Sequence, residues 1–358
     1  GTFSTPSVML DSVAGGDVWH ARTRATIPLA MPLGGAASAR AVFSLGGHLW
    51  ALAPDGTATF FRARAPQSGR RAPPPPPWSP RGDRILTVEP AGVGLPGITA
   101  ATPIAVSIDR DGRTTRYAES RAATGTPSWS PAGDAFAVVV DRRGVDGTST
   151  QAELEIRFLA VDGSIARPAV PGRDALWTTA GVYVLTSTSI DLVDGQARRQ
   201  VVSLPELLAD PRGDFPAERT STTVASLGGT RDGAYLSVRI SVTPRTGANR
   251  FAIALIRTAD GRAEAFLPGS TVQDLAWSPS GAVGYTLTAS ATTEPATRIH
   301  AAAGGPVARA QPGRFAGWSP DGSFYYLALA EGLFAYPLGD GAAVRVSAIG
   351  VPVSATRP

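Results

Sequence analysis

A tight turn announced by tryptophan recurs along the chain: Trp78-Ser79-Pro80-Arg81-Gly82-Asp83, Trp129-Ser130-Pro131-Ala132-Gly133-Asp134, Trp277-Ser278-Pro279-Ser280-Gly281 and Trp318-Ser319-Pro320-Asp321-Gly322. No other feature restricts the fold so strongly. Each copy runs into an apolar, β-prone stretch, such as Phe136 to Val140 or Phe324 to Leu329, so the unit reads as strand, turn, strand. Two diverged copies extend the series. Trp177-Thr178-Thr179-Ala180-Gly181 keeps the Trp and the Gly, and Gly229-Thr230-Arg231-Asp232-Gly233 keeps only the Asp-Gly end. The turns then fall at 78, 129, 177, 229, 277 and 318, a period that suits a unit of four strands.

A second signal alternates with the first. Asp55-Gly56, Asp111-Gly112, Asp162-Gly163, Asp194-Gly195, Asp260-Gly261, Gly304-Gly305 and Asp340-Gly341 each separate two apolar strand-like runs. Asp-Gly suits a tight hairpin because Gly adopts positive φ without penalty and Asp tolerates it through local side-chain bonds. With strands lettered a to d within a unit, the Trp turn joins a to b and the Asp-Gly turn joins c to d. An earlier unit is read from Ile27 to Ala65, with Gly34-Gly35 in its first turn.

These units, with no helix-length amphipathic pattern between them, predict an all-β chain: a seven-bladed β-propeller of four-stranded antiparallel blades, with six or eight blades as the alternatives. The expected organisation is an N-terminal segment at 1–26 that tethers or closes the ring, one propeller at 27–347 and a C-terminal tail at 348–358. The Trp-Ser-Pro-Asp-Gly signature resembles the TolB-like or WD-type propeller repeat over roughly residues 70 to 347. That resemblance implies an extracytoplasmic location, periplasmic, cell-surface or secreted. It is specific to fold rather than activity, since such propellers serve as periplasmic scaffolds, domains of membrane-anchored proteins and gates of peptidases.

Within each turn the residue types point to construction. Trp78, Trp129, Trp177, Trp277 and Trp318 can lend apolar surface between blades, Pro sets φ, Ser or Asp can accept backbone N–H bonds, and Gly82, Gly133, Gly181, Gly233, Gly281 and Gly322 take the left-handed position. A catalytic reading of the serines fails: Gly317-Trp318-Ser319-Pro320-Asp321 lacks the second glycine of a nucleophile elbow.

Composition removes further chemistry. The chain has no Cys, and all 33 of its basic residues are Arg, so thiolate nucleophiles, disulfides, Schiff-base lysines and the phosphate-loop lysine are excluded. Only His20, His48 and His300 occur, without metal-ligand spacing, and Asn249 is the single Asn. No metal or cofactor is expected. Acidic and basic residues are interspersed, with no single-signed stripe for nucleic acid, and no apolar run approaches the ~18 residues that span a bilayer. Membrane association would need an anchor outside this sequence. Arg81-Gly82-Asp83 and Arg212-Gly213-Asp214 spell an adhesion tripeptide, the first inside the repeat turn. Pro73 to Pro77 reads as polyproline II, a stiff connection or a ligand for an aromatic groove.

Strand alternation sends the a–b and c–d turns to one end and the b–c and d–a connections to the other. The long, unlike segments all belong to the second end: Glu89 to Thr102, Asp141 to Ala152, Leu204 to Thr223, Ser241 to Arg250 and the shorter Ser290 to Thr297. Variable loops on a repeat frame are where recognition resides. One helical turn is expected between Pro205 and Pro211. Arg142, Arg143, Asp146, Arg212, Asp214, Glu218, Arg219, Arg245 and Arg250 are the candidate binding residues, either an Arg-rich mouth for carboxylate or phosphate groups or a solvated loop with local ion pairs. The expected function is a non-catalytic module that binds a protein or peptide there. The alternatives are a hydrolase or lyase with an acidic site at the channel mouth, and the sensor or gate of a longer membrane protein.

Overall fold

A computed structural model describes residues 41–45, 48–52, 58–62, 79–81, 84–90, 102–109, 113–142, 153–195, 197–288, 295–301, 305–318, 322–329 and 332–347. Nearly all of the regular structure is β. The described residues fall into two compact units, one drawn from 77–283 and 299–309, the other from 1–76, 284–298 and 310–358.

In the first unit, β4 (Arg84–Pro90), β5 (Pro103–Asp109) and β6 (Thr114–Tyr117) pair antiparallel in chain order. The next sheet is β7 (Ala123–Trp129), β8 (Ala135–Asp141), β9 (Leu154–Ala160) and β10 (Ile165–Pro171). It is followed by β11 (Asp174–Thr178), β12 (Gly181–Leu185), β13 (Ser189–Asp194) and β14 (Ala197–Ser203), and then by β15 (Arg219–Gly229), β16 (Tyr235–Pro244), β17 (Arg250–Arg257) and β18 (Arg262–Pro268). In the second unit β1 (Ala41–Leu45), β2 (His48–Leu52) and β3 (Ala58–Arg62) form a three-stranded sheet. There β23 (Arg314–Trp318), β24 (Phe324–Leu329), β25 (Gly332–Pro337) and β26 (Val344–Ser347) form a four-stranded one. A further four-stranded sheet has the order β19 (Val272–Trp277), β20 (Val283–Leu287), β21 (Ala296–His300) and β22 (Val307–Pro312).

Every sheet is an up-and-down meander of neighbouring strands, which is the blade of a propeller. The Trp turns at 129, 177, 229, 277 and 318 join first to second strands, and the Asp-Gly or Gly-Gly pairs lie between third and fourth. By the same registration β4–β6 and β1–β3 are the second to fourth strands of their units. The segments that would precede them, with Trp78, Gly82, Gly34-Gly35, His20 and the polyproline run, lie outside the described residues, as does the 1–26 segment.

Packing in the first unit runs blade to blade through first strands: β11 lies against β7 and β8, β15 against β11, and β19 against β15. Among the described residues apolar layers fill the seams. Leu86, Tyr117, Trp129, Phe136 and Val140 share one, and Val139, Ile156, Phe158, Ala175 and Val184 the next. The third and largest sets Tyr183, Leu185 and Ile190 against Leu236, Val238, Ile240 and Ile256. Second strands such as Ala135–Asp141 are buried on both faces, hence their unbroken apolar runs, while fourth strands such as Ile165–Pro171 are mostly exposed.

Candidate functional site

The end that carries the a–b turns is tied together by its own residues. In the turn after Trp129, Ser130 Oγ donates to Asp134 and accepts from the Ala135 N–H, while the Ser130 N–H reaches the Ala135 carbonyl at 2.8 Å. Thr230 repeats this role with Asp232 and Tyr235, and Ser278 accepts from the Ala282 N–H. Gly133, Gly181, Gly233, Gly281 and Gly322 all have positive φ. The turns also bond to each other: Arg81 Nε donates to Ala132 O at 2.7 Å and the Thr179 N–H to Arg231 O at 3.0 Å, each between successive turns, and Arg231 Nη2 reaches past the turn at 177 to Pro131 O at 3.2 Å. The arginine of the first adhesion-like tripeptide is thus a turn-to-turn clamp.

The tryptophans sit at seams. Trp177 meets Phe158 edge-on at 5.5 Å with the Arg167 guanidinium 4.9 Å over its ring, and its backbone N–H donates to Ser128 Oγ. Trp277 stacks on Tyr235 and donates from Nε1 to Ser237 Oγ at 3.0 Å.

At the opposite end the connections are unequal. Those at 172–173, 186–188, 269–271 and 313 are short, whereas the link from β14 to β15 makes an excursion. Helix α1 (Leu204–Ala209) opens it, with Ser203 Oγ accepting the Glu206 N–H and Pro205 in the first turn, and a 3-10 turn follows at Pro211–Gly213. Leu204 and Leu207 are buried in the largest apolar layer, and Phe215 meets Phe266 of β18 edge-on at 5.7 Å. Arg212 holds Asp210 through two side-chain bonds and donates to Ala263 O at 2.7 Å, so its guanidinium keeps the Asp210 carboxyl below the usual range.

The candidate binding residues therefore divide. Arg212 fastens the excursion to β18. Asp214 caps the 3-10 turn at φ 48°, its N–H donating to Pro211 O. Arg142 lies by Glu153 and Glu155 at 3.6 and 3.9 Å, while Arg143 and Asp146 lie outside the described residues. Local ion pairing, one of the two arrangements expected for these loops, is present at Arg142, Arg212 and, between two highly exposed side chains, Arg245 with Glu218. The expected loop boundaries are corrected. Arg219–Thr223 and Ser241–Pro244 are the paired ends of β15 and β16, and Arg250 opens β17 opposite Val242. The Thr-Ser-Thr-Thr start of β15 lacks the apolar alternation by which strands are recognised. What remains open to solvent is Glu218 and Arg245, just beyond the ends of β15 and β16, whose side chains are 81% and 77% exposed and 3.9 Å apart, together with Arg219 of β15 and Arg250 and Phe251 of β17.

One acidic residue escaped the sequence reading. Asp174, the first residue of β11, accepts the N–H of Leu227 at 2.8 Å and that of Ala175 at 2.9 Å. Leu227 is presented by an irregularity of β15 between Ala225 and Gly228, where Ser226 has φ 59°. Burial of the carboxyl raises its pKa to about 6 against the lowering effect of these backbone bonds. An aspartate that opens a strand carries no sequence signal of burial. Among the described residues no group of His, Asp and Glu is placed to hold a metal ion, and His300 Nδ1 is bonded to Gly305 O at 2.7 Å. No described helix is long and apolar enough to cross a membrane.

The fold is that of a β-propeller. No family model and no curated protein matches the sequence. Among solved structures the chain is similar to TolB from Acinetobacter baumannii, with 17% identity over 74% of this chain and 59% of that one, at a TM-score of 0.43. It is also similar to the β-propeller domain of the Trilobed protease from Pyrococcus furiosus, with 12% identity over 86% and 89% and a TM-score of 0.49. A third similarity is to an oligogalacturonate lyase in complex with manganese, with 10% identity over 85% and 83% and a TM-score of 0.46. The chain spans 59% of the length of that TolB. At such scores it is the strand order and first-strand packing of the chain itself that carry the fold.

Proposed function

We propose that this propeller is a non-catalytic, extracytoplasmic interaction module that takes a protein or peptide partner on the end bearing the b–c and d–a connections. The asymmetry of the ends supports this reading. Short turns cross-bonded through Arg81, Thr179 and Arg231 occupy one end, while Arg219, Arg245, Arg250 and Phe251 stand exposed at the other. Exposed Arg beside an aromatic ring is a composition enriched at protein interfaces. Arg212 takes no part, being committed to Asp210 and Ala263.

The test is capture of partners from an extracytoplasmic fraction by immobilised wild type, by an Arg245→Gln/Arg250→Gln variant, and by Arg262→Gln at the opposite end. Loss of the same bound species with the double variant alone is the expected result. Equal capture by all three proteins removes the assignment.

A further inference from the structure

The sheet β15–β18 is longer at one end than its neighbours. Its first three strands have 11, 10 and 8 residues, where the corresponding strands of the preceding sheet have 5, 5 and 6. The extra length comprises Arg219–Thr223 on β15, paired with Ser241–Pro244 on β16, which in turn pair with Arg250 and Phe251 of β17. β15 is a terminal strand of the sheet order, and Arg219–Thr223 is mostly exposed.

The direction of its free backbone groups follows from two bonds. The Arg245 N–H donates to Glu218 O, and Thr243 O accepts from Thr220 Oγ1, so the odd-numbered residues of β16 turn their amides toward β15. They face Ser221 and Thr223 in register. In an antiparallel pair the alternate residues point away. Thr222 and Val224 therefore turn N–H and C=O to the open side. Exposed edges are normally guarded by Pro, charge or a bulge. The outer strand β10 carries Pro168 within it and two register shifts. Residues 220–223 carry neither Pro nor charge, a single register shift between Arg219 and Ser221 is the one irregularity in this stretch, and its composition favours strand.

We propose that the Arg219–Thr223 edge of β15 receives an extended acidic peptide segment as an additional strand. Main-chain bonds to residues such as Thr222 give the attachment. Arg219, Arg245 and Arg250, offset by the carboxylate of Glu218 that lies 3.9 Å from Arg245, select the charge. Phe251, 41% exposed, lies in the cross-strand row of Thr223 and Ser241 and offers apolar contact. The assignment rests on the reading of this end as the partner face.

Fluorescence anisotropy with the full chain tests it. The probe is a labelled eight-residue peptide of alternating glutamate and valine, compared with its lysine counterpart and with a form N-methylated at alternate backbone nitrogens. Saturable binding of the acidic peptide is expected. Binding falls at least about tenfold for the lysine peptide and for Arg219→Gln/Arg245→Gln/Arg250→Gln. It is lost on N-methylation of the peptide and in Thr222→Pro, which removes an outward N–H and leaves the β15–β16 ladder intact. No saturable binding of the acidic peptide overturns the proposal, as does binding that survives N-methylation. Should the peptide fail while Arg245→Gln/Arg250→Gln still loses its captured species, the strand addition falls alone and the partner face stands; if both fail, so does the face.

Discussion

The Asp174 carboxylate, at the start of β11, accepts the backbone N–H of Leu227 in the bulge of β15 at 2.8 Å, joining the first strands of two consecutive blades. The same carboxyl is enclosed enough to hold its pKa at about 6, above the ordinary 3.8. A raised folded-state pKa means that the protonated form is the one the fold prefers. Its contribution to stability is full below pH ~4 and lost as pH rises through about 6. The shift sets a ceiling of about 3 kcal/mol, less whatever the partial exposure of the residue returns. Asp174→Asn keeps an acceptor for Leu227 and cannot titrate. Chemical denaturation at pH 4 and pH 7.5 is expected to show the wild type losing stability relative to Asp174→Asn across that interval; parallel profiles would remove Asp174 from the account.

The excursion between β14 and β15 is anchored from both sides, by Leu204 and Leu207 in the apolar layer and by Arg212 and Phe215 on β18. Leu207→Ala is expected to cost about 2 to 3 kcal/mol, as for a buried leucine on a short helix whose cavity partly collapses. Arg212→Ala, whose side chain is half exposed, is expected to cost about 1 kcal/mol and to expose the 204–218 segment to proteolysis. Melting curves and limited digestion of the two variants measure this. An Arg212→Ala protein that melts and resists digestion like the wild type would return Arg212 to the set of free binding residues.

Trp277 shows the seam in miniature. Its ring stacks on Tyr235 and its Nε1 donates to the buried Ser237 Oγ, so one side chain supplies both apolar contact and a bond across two sheets. Trp277→Phe keeps much of the contact but strands the hydroxyl, at an expected cost of about 1 to 3 kcal/mol. Ser237→Ala added to Trp277→Phe should restore part of that loss, since no donor or acceptor is then left bare. A double-mutant cycle by urea denaturation reads the coupling, and strictly additive effects would show that the bond contributes nothing.

Repetition made the frame legible: a Trp turn recurring down the chain needs the same strand before it and after it, and Ser130, Thr230 and Ser278 fill one role in three turns. Even the degenerate turns at 177 and 229 fall where the period puts them. The functional end was legible only in outline. Its residues do not repeat, so nothing in the sequence distinguishes Arg212, clamped on Ala263 O, from Arg245, left in solvent. The extension of β15 and β16 stayed hidden for a related reason. On β15 residues 219–223 are mostly exposed, and period-two alternation vanishes where burial does, whereas β16 keeps its alternation through Ile240 and Val242 and is cut short only because its partner strand gives no signal.

Two Asp-Gly turns of the same sequence type should respond differently to the same methyl group. Gly163, at φ 93°, has nothing within 4 Å of the position a Cβ would take, so Gly163→Ala meets only the cost of the left-handed backbone, about 1 kcal/mol. Gly261, at φ 69°, packs directly on the fourth strand of the preceding blade, where a methyl would run into the carbonyl oxygen of Val201. Backbone cannot swing aside as a flexible side chain does, so Gly261→Ala must shift either the turn or β14 and is expected to cost about 3 kcal/mol or more. Thermal melts of the two variants side by side make the comparison. If the two alanines cost the same, the c–d turn of the β15–β18 blade does not rest on β14, and the seam between those blades is looser than its buried layer of Ile190, Val202 and Ile256 requires.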